Sequence, residues 1–313
     1  MRDVTFANAD ITLAGSLAVP GRGAAAGVVM VGGSGPSDRH NDIYFSPIRR
    51  HLVDAGFAVL SYDKRGVGAS SGDWRAATMA DLATDAAAAL EFLVARTELP
   101  PNAVGLFGHS EGGWVVLRAA AGRDDVPWVV TNSCPGTTPA VQERHALANA
   151  LRRASTPTKD IAAALAVYDD LVEAGRRDSD FAEAARLVDT AGIPFAGYWS
   201  DVDESLWEFL KRKQDHDPVP DALRLRCPHL AIFGGADELV PVADSIRLLG
   251  TTACHLDRHH LATLTVELFP GADHRLQVAG ELVPGYLATL TRWIRGVCDE
   301  TVSTAAEESA DAT

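Results

Sequence analysis

The chain is short of cysteine, of positive charge and of long apolar runs, and each shortage closes off a class of function. Its four cysteines, Cys134, Cys227, Cys254 and Cys298, lie far apart among 313 residues and form no Cys-x-x-Cys pair. That argues against a zinc site or a disulfide framework and suits a reducing cytosol. Lys and Arg number 28 against 42 Asp and Glu, a formal charge of -14. Phosphate-rich surfaces repel such a chain, so neither nucleic acid nor an anionic membrane is expected as a partner. No apolar stretch is long enough to cross a bilayer, and no basic segment followed by a long apolar run opens the sequence; a cytoplasmic, soluble protein is expected. Gly66 and Gly68 lack the Lys-Ser/Thr pair that a phosphate loop needs downstream. His255, His259 and His260 share a polar segment with Asp257, but no further carboxylate or cysteine stands at ligand spacing. They read as a solvated face, and neither a metal nor a cofactor is expected.

What is present is the make-up of a globular protein: 47% hydrophobic and 22% charged residues, in a chain long enough to bury a substantial core. Its most informative feature is Gly108-x-Ser110-x-Gly112. An apolar run, Ala103 to Phe107, feeds into it, and a helical pattern from Trp114 to Ala121 follows. A strand that becomes a helix within one residue forces the serine into a strained, exposed backbone position, where side chains at either glycine would collide.

Two later segments supply what a serine nucleophile lacks. His229 to Phe233 and Leu264 to Phe269 are strand-like runs, each ending in a glycine turn with an ionisable residue: Asp237 in the first, His274 in the second. A serine hydroxyl needs an adjacent base, histidine titrates near working pH, and a carboxylate fixes the imidazole tautomer. Ser110 is thus the candidate nucleophile, His274 the general base and Asp237 its orienting partner, with Glu238 a rival for Asp237 and Asp273 read as a turn residue. The order Ser, Asp, His belongs to one particular scaffold.

On these residues the chain resembles the α/β-hydrolase superfamily over roughly residues 1–135 and 225–297, and residues 1–135 with 225–298 are expected to form the α/β-hydrolase core. The stretches Gly33–Arg39, Ser61–Gly68 and Gly108–Gly113 look like bacterial serine esterases of the dienelactone-hydrolase and prolyl-oligopeptidase-like groups. The resemblance implies cleavage of a carboxylic ester in a small-molecule ester or acyl substrate through an acyl-enzyme; the alternatives are an acyltransferase, thioesterase or peptidase with the same triad, or a ligand-binding protein of this fold without turnover. It also implies an oxyanion hole from the backbone N–H of Glu111 and of Ser34. Gly32–Gly35 occupies the place where relatives carry His-Gly-x-Gly, with Gly32 replacing the histidine. The Glu111 side chain, at a helix N-terminus that favours negative charge, reads as structural.

The rest of the pattern fits an α/β fold, a mostly parallel sheet with helices on both faces. Val4–Phe6 and Ile11–Val19 predict an antiparallel opening pair. Gly27–Val31 and Phe57–Ser61 predict strands, Phe45–Ala55 and the run from Thr78 predict helices, and Asp81 stands three residues after Thr78 as in a capping box. Pro241 and Gly250 are expected to bound a late helix. Between Pro135 and Arg226 the strand rhythm gives way to helical stripes, among them Ile161 to Val172, Phe181 to Val188 and Trp199 to Phe209. Residues 136–224 are therefore expected to form a helical cap over the active site, or else an additional helical layer. Its aromatics Tyr168, Phe181, Phe195, Trp199 and Trp207 either line an acyl pocket or form the cap's own core. The acidic tail, 299–313, is expected to be disordered. Asp38, Arg39, Asp63 and Arg65, in loops at strand ends, either bind a polar substrate group or pair with one another. The remaining histidines, His109 among them, have no evident partner in the sequence.

Overall fold

The computed structural model describes residues 1–24, 26–96, 99, 102–191 and 196–311. The opening pair is β1 (Arg2–Asn8) and β2 (Ile11–Ala18), antiparallel with Val4 opposite Gly15. Then come β3 (Ala26–Val31), α1 (Phe45–Asp54), β4 (Phe57–Tyr62), α2 (Met79–Arg96), β5 (Val104–His109), α3 (Glu111–Ala120) and β6 (Val129–Asn132). The helical insert holds α4 (Pro139–Arg153), α5 (Thr158–Arg176), α6 (Phe181–Ala191), α7 (Ala196–Trp199), α8 (Glu204–Lys213) and α9 (Pro218–Leu223). The chain closes with β7 (His229–Gly234), α10 (Val242–Ala253), β8 (Leu264–Phe269), the short pair β9 (Gln277–Val278) and β10 (Glu281–Leu282), and α11 (Tyr286–Asp311).

Eight strands form one sheet in the order β1-β2-β4-β3-β5-β6-β7-β8, parallel from β4 to β8. This is the α/β-hydrolase architecture. All six residues of β3 are buried. Val29 and Val31 enter one core with α2 and α3, while Val28 and Met30 enter the other with α1 and α11. In β7, Ala231 and Phe233 face one core and Leu230 and Ile232 the other. A strand covered on both faces has no polar side to alternate, which is why these runs are continuously apolar.

The Thr78–Asp81 box forms: Thr78 N–H donates to Asp81 Oδ2 at 2.8 Å and Asp81 N–H to Thr78 Oγ1 at 3.2 Å. Two expectations are corrected. The Trp199–Phe209 stripe is two helices, because Asp203 accepts from Leu206 N–H at 2.8 Å and starts α8 afresh. Gly250 lies inside α10, which runs on to Ala253. Helix α11 runs on to Asp311, through a stretch rich in the helix former Ala and in Glu. The insert has its own core, with Leu147, Tyr168, Leu171, Val188 and Trp207 at its centre. Helix α9 packs on α3 and α10, and its Ala222 joins a sheet core. Among the described residues no helix is long and apolar enough to cross a membrane.

Candidate active site

Ser110 stands where β5 breaks into α3, with φ 54° and ψ -123°. A left-handed backbone at a non-glycine residue costs of order 1–3 kcal/mol and persists only when its surroundings enforce it. Here they do: Ser110 N–H donates to the Asn132 carbonyl at 2.9 Å, and its own carbonyl accepts from Gly113 N–H at 2.8 Å. The flanking glycines are sterically required. A Cβ on Gly108 would strike the Gly112 backbone, and one on Gly112 would strike the carbonyls of Val31 and Gly32.

Asp237 follows β7 and His274 follows β8, at the same carboxyl rim of the sheet. Asp237 Oδ2 lies 2.8 Å from His274 Nδ1, and its other oxygen accepts from Leu239 N–H at 2.9 Å and Val240 N–H at 3.1 Å. Its carboxylate is fully buried. The rival, Glu238, instead pairs with Arg153 at 2.6 Å on the surface. Asp273 is indeed a turn residue, its Oδ1 accepting from Arg275 N–H and Gln277 N–H. With Nδ1 committed to a carboxylate, the imidazole keeps its proton there and leaves Nε2 as a lone pair. Ser110 and His274 line one cavity, and no hydrogen bond joins them among the described residues.

Gly33 lies against the nucleophile: a Cβ on it would stand 3.3 Å from that of Ser110. The loop is held by Asn41, whose Oδ1 accepts from Gly33 N–H at 3.3 Å and from Ser37 Oγ at 2.9 Å. A side chain at Gly32 would run into Ser37, so the histidine of relatives has no room here and the Ser37–Asn41 pair braces the loop. Among the described residues neither Ser34 N–H nor Glu111 N–H donates to a protein acceptor.

The Glu111 side chain is a buried junction. Its carboxylate meets Lys64 Nζ at 2.8 Å, Lys213 Nζ at 3.1 Å and Ser34 Oγ at 3.3 Å. Burial alone would raise its pKa, but the two ammoniums hold it down at about 2. Lys64 also donates to the Gly33 carbonyl at 2.7 Å. Three of the four loop charges pair, among themselves or with α2: Arg39 grips Asp63 through two nitrogens at 3.0 and 2.8 Å, and Arg65 grips Asp85 at 2.7 Å, while Asp38 accepts from His40 N–H at 2.9 Å.

His109, preceding Ser110, is buried beside the His274 ring at 5.0 Å and the Tyr44 ring at 4.6 Å. Burial first, then electrostatic interaction with His274 and with the Arg275 charge, push its pKa well below the ordinary value, so it stays neutral. The cavity has a volume of about 420 Å³. Gly33, Ser34, Asn41, Leu239 and Arg275 line it from the sheet domain; Gln142, Glu143, Ala146, Ala150 and Tyr198 line it from the insert. Glu143 accepts from Tyr198 Oη at 2.6 Å and forms no salt bridge among the described residues. Of the insert's aromatics, expected either to line an acyl pocket or to form the insert's own core, Tyr168 and Trp207 are buried in that core and Phe181 stacks on Trp199; Tyr168, Trp199 and Trp207 line a neighbouring cavity that shares Glu143 and Tyr198 with this one. Phe195 lies outside the described residues.

The sequence reading missed Lys64, Lys213, His109, Asn41 and the Glu143–Tyr198 pair. Lys64 and His109 stood inside quoted motifs, and a buried glutamate beside the nucleophile is itself a signal that a cation must be near. Among the described residues no group of His, Cys, Asp and Glu could hold a metal ion.

A family model described as serine aminopeptidase, S33, matches residues 26–278. No curated protein matches the chain significantly. Solved structures share the fold. DcsB in complex with a substrate analogue superposes with TM-score 0.66 at 16% identity, over 95% of this chain and 99% of that one. Est1E from Butyrivibrio proteoclasticus with bound ferulic acid gives 0.61 at 15%, over 96% and 99%. The proline iminopeptidase of Mycobacterium smegmatis gives 0.60 at 16%, over 96% and 100%.

Proposed function

Because the chain belongs to the serine aminopeptidase S33 family of hydrolases, we propose that it is a serine hydrolase cleaving a carboxylic ester through an acyl-enzyme. The observation that carries the reading is the buried Asp237–His274 contact at 2.8 Å, beside a serine on a strained elbow facing the same cavity. In this mechanism His274 Nε2 takes the Ser110 proton as the hydroxyl attacks the acyl carbonyl. Asp237 holds the ring and stabilises the imidazolium that forms. The oxyanion is received by Ser34 N–H and Glu111 N–H, two donors that have no protein acceptor among the described residues and so need no reorganisation to serve it. His274 then protonates the departing alcohol. Water, deprotonated by the same nitrogen, releases the acid and restores Ser110. Contact between Ser110 and His274 forms once substrate fills the cavity, as catalytic hydrogen bonds often tighten only in the complex. The helical insert serves as a cap, since α4 and Tyr198 wall one side of the cavity.

The test is a panel of nitrophenyl esters of rising acyl length, run beside Ser110→Ala. The parent turns over short or medium chains, and the variant loses several orders of magnitude. Equal rates would end the proposal.

One observation favours a second reading, cleavage of an amide next to a free amino terminus. The Glu143 carboxylate faces the cavity without an ion-pair partner among the described residues, and a substrate ammonium would supply one. Aminoacyl nitroanilides turned over faster than matched esters, with that preference lost in Glu143→Gln, would favour it.

A further inference from the structure

The junction beneath the nucleophile does more than neutralise a charge. We infer that the Glu111 carboxylate and the Lys64 ammonium are positioning residues, which together aim the Ser34 N–H into the cavity, and that Lys213 makes this aim depend on docking of the insert. The inference rests on the ester-hydrolase reading above.

The peptide joining Gly33 to Ser34 is trans, as are all described peptides, so the Gly33 carbonyl and the Ser34 N–H point to opposite sides of one plane. Lys64 Nζ donates to that carbonyl at 2.7 Å from the buried side. The Ser34 N–H is thereby turned the other way, toward the space that Ser34 shares with Ser110 and His274. Were this peptide to rotate, an acceptor would face the developing oxyanion in place of a donor, and stabilisation would become repulsion.

Lys64 is in turn fixed by Glu111 Oε1 at 2.8 Å, and Ser34 Oγ reaches Oε2 at 3.3 Å. Glu111 also owns the second donor, its own backbone N–H. One buried carboxylate thus ties both arms of the oxyanion site: one covalently, the other through an ammonium and a hydroxyl. The third partner, Lys213, ends α8 in the insert, yet it is buried and lies 3.1 Å from the same carboxylate. Withdrawal of the insert would strip Glu111 of one of its two cations and loosen the clamp.

The experiment compares Glu111→Gln, the charge-balanced Glu111→Gln/Lys213→Met, and Ser34→Ala with the parent and with Ser110→Ala. Nitrophenyl butyrate is the substrate and a trifluoromethyl ketone the tetrahedral-intermediate mimic, with melting followed by circular dichroism. The expected result for the folded glutamine variants is a fall in kcat of about 100-fold, the scale of a misplaced oxyanion donor. KM should stay within about twofold while affinity for the ketone falls in parallel with kcat, a split that follows from losing an interaction made only in the transition state. Ser34→Ala removes one hydrogen bond from an exposed hydroxyl and keeps its N–H. It should show the same split in milder form, and it carries the comparison if both glutamine variants fail to fold. Parental kcat and ketone affinity in the folded variants would overturn the inference while leaving the serine mechanism standing. Ser110→Ala as active as the parent would instead remove the reading on which it rests.

Discussion

Replacing Asp237 with asparagine isolates one oxygen. Asp237 is fully buried and makes three contacts: His274 Nδ1 at 2.8 Å, Leu239 N–H at 2.9 Å and Val240 N–H at 3.1 Å. The side-chain oxygen of asparagine still accepts from both backbone groups, so the turn after β7 survives. Its NH2, however, meets Nδ1 as a donor and forces the imidazole proton onto Nε2. The nitrogen that should accept the serine proton then already carries one. A change confined to the tautomer should cost about 10³ to 10⁴ in kcat, or about 4 to 5.5 kcal/mol on the barrier. The assay is nitrophenyl butyrate turnover, with thermal melting to show that the variant is folded. A folded variant within tenfold of the parent would refute the assigned role of Asp237.

Two further outcomes follow from packing and burial. Gly112→Ala would drive a methyl group into the carbonyls of Val31 and Gly32, both backbone and unable to rotate away; a loss near or above about 3 kcal/mol in urea denaturation is expected, together with loss of turnover, and parental stability would contradict the steric account of the elbow. His229, fully buried with Nε2 on Thr131 Oγ1 at 2.8 Å, has its pKa pushed from 6.5 down to about 3, by burial first and by Arg258 second. Between those values the unfolded chain takes up a proton that the folded chain refuses, so its contribution is complete above pH 6.5 and declines as the pH falls toward 3. The slope is about 1.4 kcal/mol per pH unit, or about 2 kcal/mol by pH 5. Urea unfolding at pH 7 and pH 5 should show His229→Gln losing correspondingly less than the parent; equal losses would show that His229 is not the group responsible.

The elbow was legible because its causes are local: two glycines forced by backbone crossings, between an apolar run and a helical one. Asp237 and His274 were legible as ionisable residues on glycine turns after strands, since a parallel sheet gathers its carboxyl ends at one rim. What stayed hidden depends on distance along the chain. Nothing periodic marks Lys213 as the partner of a glutamate 102 positions earlier, and the burial of Glu111 shows only once the sheet and insert close over it. The split of the Trp199–Phe209 stripe escaped because an apolar period says nothing of an interruption; Asp203, which caps α8, was its signal. Gly250 was read as a helix end from its type alone, yet helical backbone at that point needs no special residue.

The central claim is that Ser110 is a nucleophile activated by His274. Incubation with a fluorophosphonate probe, followed by intact mass and peptide mapping, tests it most directly. The account predicts a single adduct on Ser110, formed rapidly in the parent and nearly abolished in His274→Ala. No adduct on a folded protein, or equal labelling of the two, would contradict it.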